Sequence, residues 1–224
     1  MIKAVIFDMD GLMFDTEALA KKGWLIAGRE LNLPITDELV YRVIGMNAAS
    51  VRKTCMDYFG PNFDYDAFRG AVSGYMKKSL DEDGMPVKRG LPELLDYLKE
   101  NRYQTAVASS SSRATVEDYL RRAGMEKTFS ALVCGDMITR GKPEPDIFLK
   151  AAEELGAAPE DCLILEDSSN GIRAAHAAGM RVIMVPDLIE PTADLRAMAS
   201  KVCGSLHDVI PFLEDDRKGE RPDG

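Results

Sequence analysis

Short runs of apolar residues without polar alternation recur along the chain, a pattern typical of strands buried on both faces of a sheet. These runs lie at 3–7, 104–108, 131–134, 162–165 and 181–185. Between the later runs, apolar residues recur every three or four positions, which predicts helices. The predicted helices lie at 91–101, 113–124, 144–156 and 171–179. Strands that alternate with helices predict an α/β fold with a doubly wound parallel sheet.

The stretch between the first and second predicted strands is far longer than one crossover connection requires. It contains helical patterns but no strand pattern, at 15–31, 36–44, 47–59 and 64–80. We therefore expect an inserted all-helical cap domain at 15–86 and a core formed by 1–14 and 87–213. The last residues, 214–224, are charged with almost no apolar side chains, so we expect a disordered tail.

Composition excludes several classes of protein. The chain has 224 residues and a net charge of −9, which argues against a surface for nucleic acid or anionic membrane. No apolar stretch approaches the ~20 residues that a membrane-spanning helix needs. The four cysteines form no CxxC pair, as is typical of a reducing compartment. We expect a cytoplasmic protein.

Polar side chains follow four of the predicted strands at the point where each strand ends. They are Asp8 and Asp10 after the first strand, Ser109 and Ser110 after the second, Lys142 after the third and a short loop, and Glu166 and Asp167 after the fourth. Each residue alone fits a turn, a helix cap or a surface loop equally well. Ligands bind beyond the carboxyl ends of strands in such sheets, so their convergence there indicates a site.

These residue types together indicate phosphoryl chemistry. Clustered carboxylates repel each other unless a proton or a cation relieves the repulsion, and oxygen ligands without His or Cys suit Mg²⁺. Mg²⁺ and a lysine would hold a phosphoryl group to which a serine hydroxyl donates. Of the two aspartates, the first would attack phosphorus and form an aspartyl-phosphate. The second would protonate the leaving oxygen and later take a proton from the hydrolysing water.

Four segments resemble the motifs of the haloacid-dehalogenase-like (HAD) phosphohydrolases. They are "DMDG" (8–11), "VASS" (107–110), "GKPEPDIF" (141–148) and "LEDSSNGI" (165–172). The match covers the core in order, and "FDMDGLMFDTE" (7–17) is similar to members with a helical cap after the first strand. The resemblance implies a Rossmann-like HAD core. It is closest to the subgroup of β-phosphoglucomutase, sugar-phosphate phosphatases and pseudouridine-5′-phosphatase.

The resemblance also implies roles for individual residues. Asp8 matches the nucleophile and a metal ligand, and Asp10 matches the acid/base, whose backbone carbonyl also binds the metal. Ser109 matches the hydroxyl that binds phosphate, with Ser110 beside it, and Lys142 matches the phosphate-stabilising lysine.

Two further acids and a glycine complete the match. Asp167 matches the acidic Mg²⁺ ligand, and Glu166 matches a partner that binds the metal directly or through water. Gly11 would let the backbone approach the metal and phosphate closely.

The cap would recognise the rest of the substrate, a small phosphorylated metabolite such as a sugar phosphate or nucleotide-like monophosphate, and exclude water. Candidates that face the site are Glu17, Trp24, Met46, Asn47 and Lys77. For Trp24 a place in the core of the cap is the simpler interpretation. Because the cap already covers the site, we expect a monomer.

A phosphatase is the favoured activity, and a β-phosphoglucomutase-like mutase is the alternative. The resemblance implies that a mutase carries a histidine on the first cap helix and an arginine soon after the "IG" turn. Here Ala20 and Ala48 occupy those places, although Lys21, Lys22 or Arg52 could substitute.

Two other readings fit the residues less well. A haloacid dehalogenase would need neither a metal nor an acid at Asp10, because halide leaves without a proton. A phosphate-binding regulator on an inactive core would lack at least one catalytic group, and none is missing.

Overall fold

The centre of the molecule is a six-stranded parallel sheet, seen in a computed structural model that describes residues 1–219. The strands are β1 (Ala4–Phe7), β2 (Gln104–Ser109), β3 (Ala131–Cys134), β4 (Cys162–Glu166), β5 (Arg181–Met184) and β6 (Lys201–Val202). Their order in the sheet is β3-β2-β1-β4-β5-β6. The doubly wound parallel sheet predicted from the sequence is confirmed. β6 escaped prediction because it has only two residues.

Of the helices between β1 and β2, the first four form the cap. They are α1 (Thr16–Glu30), α2 (Asp37–Val43), α3 (Ala48–Phe59) and α4 (Tyr65–Asp83). The cap has its own apolar core, in which the Trp24 ring meets the Phe68 ring edge to face with centroids 5.0 Å apart. The inserted helical cap expected from the sequence is therefore present.

Helices cover both faces of the sheet, which explains why the strands are continuously apolar. The remaining helices are α5 (Leu91–Glu100), α6 (Arg113–Arg122), α7 (Asp146–Leu155), α8 (Ser169–Ala177), α9 (Ala193–Met198) and α10 (Val209–Lys218). Along β1, Val5 and Phe7 join the apolar cluster with α5, α6 and α10. Ala4 and Ile6 join the opposite cluster with α7, α8 and α9. Side chains thus alternate between two buried faces.

The two segments that link core and cap run side by side. Phe14 and Val87 form an antiparallel bridge, and the Asp15 amide donates to the Pro86 carbonyl at 2.8 Å. Nearby, Lys88 Nζ lies 2.5 Å from Asp187 Oδ1. The chain therefore leaves the core and returns to it at one place, which we call the hinge (13–15 and 86–88).

The expected disorder of the tail is wrong for residues 214–218. These residues form the last turns of α10, which buries Leu213 against the core. Asp216 accepts hydrogen bonds from the Ile2 amide at 2.7 Å and from Arg181 at 2.6 Å. The charges lie on one exposed side of a docked helix, so the low apolar content was misleading. The predicted tail beyond 219 lies outside the described residues.

Within residues 1–219, no helix combines the length and the apolar character that crossing a bilayer requires.

Candidate active site

The carboxyl ends of β1, β2 and β4 are neighbours in the sheet, and this adjacency builds the site. Phe7 pairs with Val107 of β2 and with Leu165 of β4, and the Asp8 amide donates to the Leu165 carbonyl at 3.0 Å. Asp8 therefore lies beside the last residues of both neighbouring strands. The structure brings together the polar residues that the sequence placed at four separate strand ends.

Lys142 reaches into this edge from the loop between β3 and α7. Its Nζ lies 2.5 Å from Asp8 Oδ1 and 2.6 Å from Glu166 Oε1, and it donates to the Ala108 carbonyl at 3.2 Å. Lys142, Asp8 and Glu166 are all buried. Burial opposes the charge, but the two carboxylates raise the pKa of Lys142 above its usual value. The lysine therefore stays cationic inside the site.

The surroundings of Asp8 bring the pKa of its carboxyl close to neutral pH. Burial raises its pKa to about 7, Lys142 opposes that rise, and the charge of Glu166 adds to it. Additional positive charge beside Asp8 would lower this pKa and favour the ionised carboxylate.

Carboxylate oxygens of Asp8, Glu166 and Asp167 lie within 4.8 Å of one another. Glu166 Oε2 accepts hydrogen bonds from the backbone amides of Asp167 and Ser168 at 2.8 and 2.7 Å. By contrast, Asp167 Oδ1 is buried with no hydrogen-bond partner. Burial and the neighbouring charges of Glu166 and Asp8 raise the pKa of Asp167 well above its usual value. A buried cluster of oxygen ligands with one unsatisfied oxygen fits a hard divalent cation such as Mg²⁺.

Asp10 is held by hydroxyl groups rather than by a charge. Its Oδ1 accepts from Thr16 Oγ1 at 2.7 Å, and its Oδ2 accepts from Ser111 Oγ at 2.8 Å and from Ser109 Oγ at 3.4 Å. Sequence reasoning did not single out Thr16 or Ser111. Their only signal was position. Thr16 lies in "DTE" after "DMDG" (8–11), which we call the catalytic turn, and Ser111 lies in the "SSSS" run after β2.

Gly11 gives the catalytic turn its shape. Its φ of +87° lies in the left-handed region, and a Cβ there would fall 2.3 Å from Asp167 Oδ2. A side chain at this position would push the Asp167 carboxylate out of the cluster.

A cavity of about 280 Å³ lies between this edge and the cap, and we call this candidate site the catalytic cavity. The predicted residues that line it are Asp8, Asp10, Glu17, Trp24, Met46, Ser109, Ser110, Lys142 and Asp167. Glu166 and Gly11 lie beside these residues without lining the cavity.

Three cap candidates reach this cavity. Burial raises the pKa of the Glu17 carboxyl to about 8, the charge of Asp10 adds to the shift, and the nearby backbone of Gly45 opposes it. Trp24 is also part of the cap core, with 4% of its surface exposed. Met46 lines the cavity from the segment between α2 and α3.

Asn47 and Lys77 lie elsewhere. The Asn47 side chain caps α3 by accepting from the Ser50 amide at 2.9 Å, and it packs against Gly141 of the core. Lys77 is exposed and lines a neighbouring cavity between α4 and α6. Neither residue lines the catalytic cavity.

Arg69 of α4 lines the catalytic cavity and was not foreseen. Lys21 also lines it, but its Nζ lies 3.2 Å from Asp37 Oδ1. Arg52 lies outside and pairs with Asp66 at 2.6 Å. Sequence alone gave no signal for Arg69, because several cap helices carry cations and periodicity does not show which face the core.

Comparison with known proteins agrees with this geometry. The sequence model of the haloacid dehalogenase-like hydrolases matches residues 5–185. A phosphorylated carbohydrates phosphatase of Thermotoga maritima is 32% identical over 182 residues, which cover 81% of this chain and 84% of the relative.

A β-phosphoglucomutase of Bacillus subtilis is 31% identical over 193 residues, covering 82% of this chain and 83% of that protein. The crystal structure of CbbY from Rhodobacter sphaeroides in complex with phosphate superposes with a TM-score of 0.77 at 26% identity, over 93% of this chain and 96% of that one. The chain is therefore an enzyme of the haloacid dehalogenase-like hydrolase family.

Proposed function

We propose that this enzyme is a Mg²⁺-dependent phosphatase that hydrolyses a small phosphomonoester, a sugar phosphate or a nucleotide-like monophosphate. The observation that carries the proposal is the pairing of a buried Asp8–Lys142 contact with a second aspartate, Asp10, held by hydroxyl groups. The first arrangement suits a nucleophile beside a phosphate-binding cation. The second suits a proton-transfer group.

In the first step, an Asp8 carboxylate oxygen attacks phosphorus, and the bond from phosphorus to the ester oxygen breaks. Asp10 gives a proton to that leaving oxygen. Lys142 and the Ser109 and Ser110 hydroxyls would bind the phosphoryl oxygens.

In the second step, a water oxygen attacks the phosphorus of the aspartyl-phosphate, and Asp10 takes the proton from that water. The bond between phosphorus and Asp8 breaks and releases inorganic phosphate, so both aspartates return to their starting states. The hydrogen bonds from Thr16 and Ser111 keep the Asp10 carboxyl oriented through both proton transfers.

Asp8, Asp167 and Glu166 would hold Mg²⁺, with the Asp10 backbone carbonyl as a further ligand. When bound, the ion supplies positive charge that reduces repulsion between the nucleophile and the phosphate dianion. The unsatisfied Asp167 Oδ1 supports this assignment.

The surroundings of the site support a small substrate. The cavity of about 280 Å³ is roofed by cap residues, so a metabolite fits and a polymer does not. A net charge of −9 agrees with a substrate that is neither nucleic acid nor a membrane lipid. We further propose that the enzyme acts as a monomer in the cytoplasm.

The site favours hydrolysis over phosphoryl return to a sugar phosphate. Ala20 and Ala48 both line the cavity, so small apolar side chains occupy the places where the mutase resemblance implies a histidine and an arginine. Of the three possible substitutes, Lys22 and Arg52 do not line the cavity, and Lys21 is paired with Asp37.

The test is hydrolysis of p-nitrophenyl phosphate and a panel of sugar phosphates with Mg²⁺, with Asp8→Asn as the matched control. We expect turnover that EDTA abolishes, and a loss of at least about 10³-fold in Asp8→Asn, because an amide is not a nucleophile. Unchanged thermal unfolding of the variant would show that its fold is intact. Turnover that persists without metal, or in Asp8→Asn, would contradict the proposal.

A second assay separates phosphatase from mutase. With β-glucose 1-phosphate as substrate, a phosphatase releases inorganic phosphate. Accumulation of glucose 6-phosphate without free phosphate would favour the mutase.

A further inference from the structure

Helix α4 presents a row of polar side chains beside the catalytic cavity. Arg69, Ser73 and Lys77 follow each other at intervals of four residues, so they lie on one face of the helix. All three line a second cavity of about 560 Å³, between α4 and α6. Arg69 also lines the catalytic cavity, so this row begins where that cavity ends.

The two cavities adjoin each other. Met76, Thr115 and Tyr119 line both, as does Arg69. Burial raises the pKa of Tyr119, the charge of Asp10 adds to that effect, and the charge of Arg69 opposes it. Tyr119 therefore lies close enough to both Asp10 and Arg69 for their charges to affect its pKa.

Arg69 and Lys77 form no ion pair within the described part of the chain. Other cations at these cavities do: Lys142 pairs with Asp8, Lys21 with Asp37, and Arg122 with Asp81 at 2.7 Å. Arg69 and Lys77 therefore combine a place on the cavity lining with the absence of a carboxylate partner among the described residues. Their positive charge remains available to a ligand.

The positive charge of Arg69 sets it apart from most of the other cap side chains that line the catalytic cavity. Around the catalytic cavity, the cap contributes mainly apolar side chains, including Trp24, Val40, Val43, Met46 and Val51. Apart from the indole N–H of Trp24, these side chains carry no hydrogen-bond donor, and none of them carries a positive charge. A guanidinium at the end of such a wall matches the geometry of a phosphate or carboxylate with two parallel hydrogen bonds.

We propose that the physiological substrate carries a second anionic group, a phosphate or a carboxylate, which Arg69 binds and Lys77 attracts. The inference rests on the proposed phosphatase function and adds a substrate class to it. With the scissile phosphate at Ser109 and Lys142, the second group lies toward α4.

The test compares kcat/KM for matched substrate pairs. Fructose 1,6-bisphosphate against fructose 6-phosphate probes a second phosphate, and 3-phosphoglycerate against glycerol 3-phosphate probes a carboxylate. We expect the wild type to prefer the doubly anionic member of at least one pair. Arg69→Gln should reduce that preference about tenfold or more, because a charge-assisted hydrogen bond is lost. Lys77→Gln should reduce it less.

Matched controls are Arg29→Gln and Lys22→Gln, because both residues are exposed cap cations without an ion pair in the described structure and line neither cavity. They should leave the preference unchanged. The inference is overturned if p-nitrophenyl phosphate is hydrolysed but the wild type shows no preference in either pair. It is equally overturned if Arg69→Gln lowers kcat/KM for both members of a pair by the same factor. Absence of Mg²⁺-dependent hydrolysis of any substrate would overturn the proposed function itself.

Discussion

Asp10 shows how much of the proposed chemistry depends on neighbours that no motif names. Its carboxylate is oriented by Thr16 on the cap side of the hinge and by Ser111 beyond β2. The proton-transfer group is thus tied to the segment where the chain leaves the core. We infer that Thr16 and Ser111 are positioning residues.

A double-mutant cycle tests this positioning role. Asp10→Asn should reduce kcat by about 10²–10⁴-fold, because the amide does not transfer a proton. Thr16→Val, which removes the hydroxyl and keeps the volume, should reduce kcat by about tenfold with little change in KM. In the double variant, Thr16→Val should have no further effect, because its role acts through Asp10. If the losses in kcat of the two single variants instead multiply in the double variant, the positioning role of Thr16 is refuted.

At the scale of single residues, sequence reasoning picked out the polar residues that the structure brings together at the core edge, but not the residues that hold them in place. Asp8, Lys142 and Asp167 are recognisable because acids and a lysine rarely occur together at the carboxyl ends of the strands of one sheet. Thr16, Ser111 and Arg69 are residue types common on any surface, and only tertiary structure places them near Asp10 or the cavity. Asn47 was misleading for a similar reason, since a helix cap and a substrate ligand look alike in sequence.

The start of α8 is the element that holds Glu166. Gly171 lies in the first turn of this helix, and a Cβ there would fall 1.7 Å from Glu166 Oε1. The helix therefore needs a glycine where packing with a carboxylate leaves no space.

A pair of glycine substitutions tests this reading of α8. Gly171→Ala should abolish Mg²⁺-dependent activity and lower the melting temperature, because Glu166 is driven away from Lys142. Gly74→Ala on α4, where a Cβ would meet nothing within 4 Å, should instead stabilise the protein by about 0.5–1 kcal/mol. Similar effects of the two variants in thermal unfolding would contradict a specific role for Gly171.

Helix α10 depends on one charged contact with the core. Burial raises the pKa of Asp216, but hydrogen bonds from the Ile2 amide and Arg181 outweigh it and lower the pKa below its usual value. A depressed folded pKa means that the contact stabilises the fold above the unfolded pKa of about 3.9 and is lost as pH falls below it.

Asp216→Ala should therefore reduce the free energy of unfolding by about 1–2 kcal/mol at pH 7. The difference from the wild type should shrink as the pH falls below about 4 towards the lowered pKa of the folded state, because Asp216 of the wild type becomes protonated there. Denaturant unfolding of both proteins at pH 7 and at pH 3 measures this difference in the free energy of unfolding. A difference that is independent of pH would show that Asp216 contributes only through its volume.

At the scale of elements, the five longer strands were predicted from their continuous apolar runs, and the four cap helices from their helical patterns. The prediction failed at the C-terminal helix, where few apolar residues suffice once Leu213 is buried and Asp216 is anchored. The density of charge along a sequence does not show that one side of a helix is docked.

At the scale of the whole molecule, core and cap divide the work. The core edge supplies every group proposed for phosphoryl transfer, and the cap supplies the walls and the cations beyond them. Sequence predicted this division from the length of the 15–86 insertion. It did not predict which cap residues face inward, because that depends on how the cap sits over the sheet.

The two neighbouring segments of the hinge also bear on the order in which the molecule folds. Ala4 pairs with Gln104, so forming the central β1–β2 ladder closes a loop of about one hundred residues. A cap that folds early brings the two hinge segments together and shortens the loop that remains to be closed. We expect the cap to collapse before the sheet, with the insertion acting as a folding aid for the domain that it interrupts.

Refolding kinetics can separate the two events, because Trp24 in the cap is the one tryptophan of the sequence. Its fluorescence should change before the circular dichroism of the sheet develops. Phe68→Ala, which empties space beside Trp24, should slow both signals, whereas Ile172→Ala in the core should slow only the second. A sheet signal that precedes the fluorescence change would show that the core closes its long loop unaided.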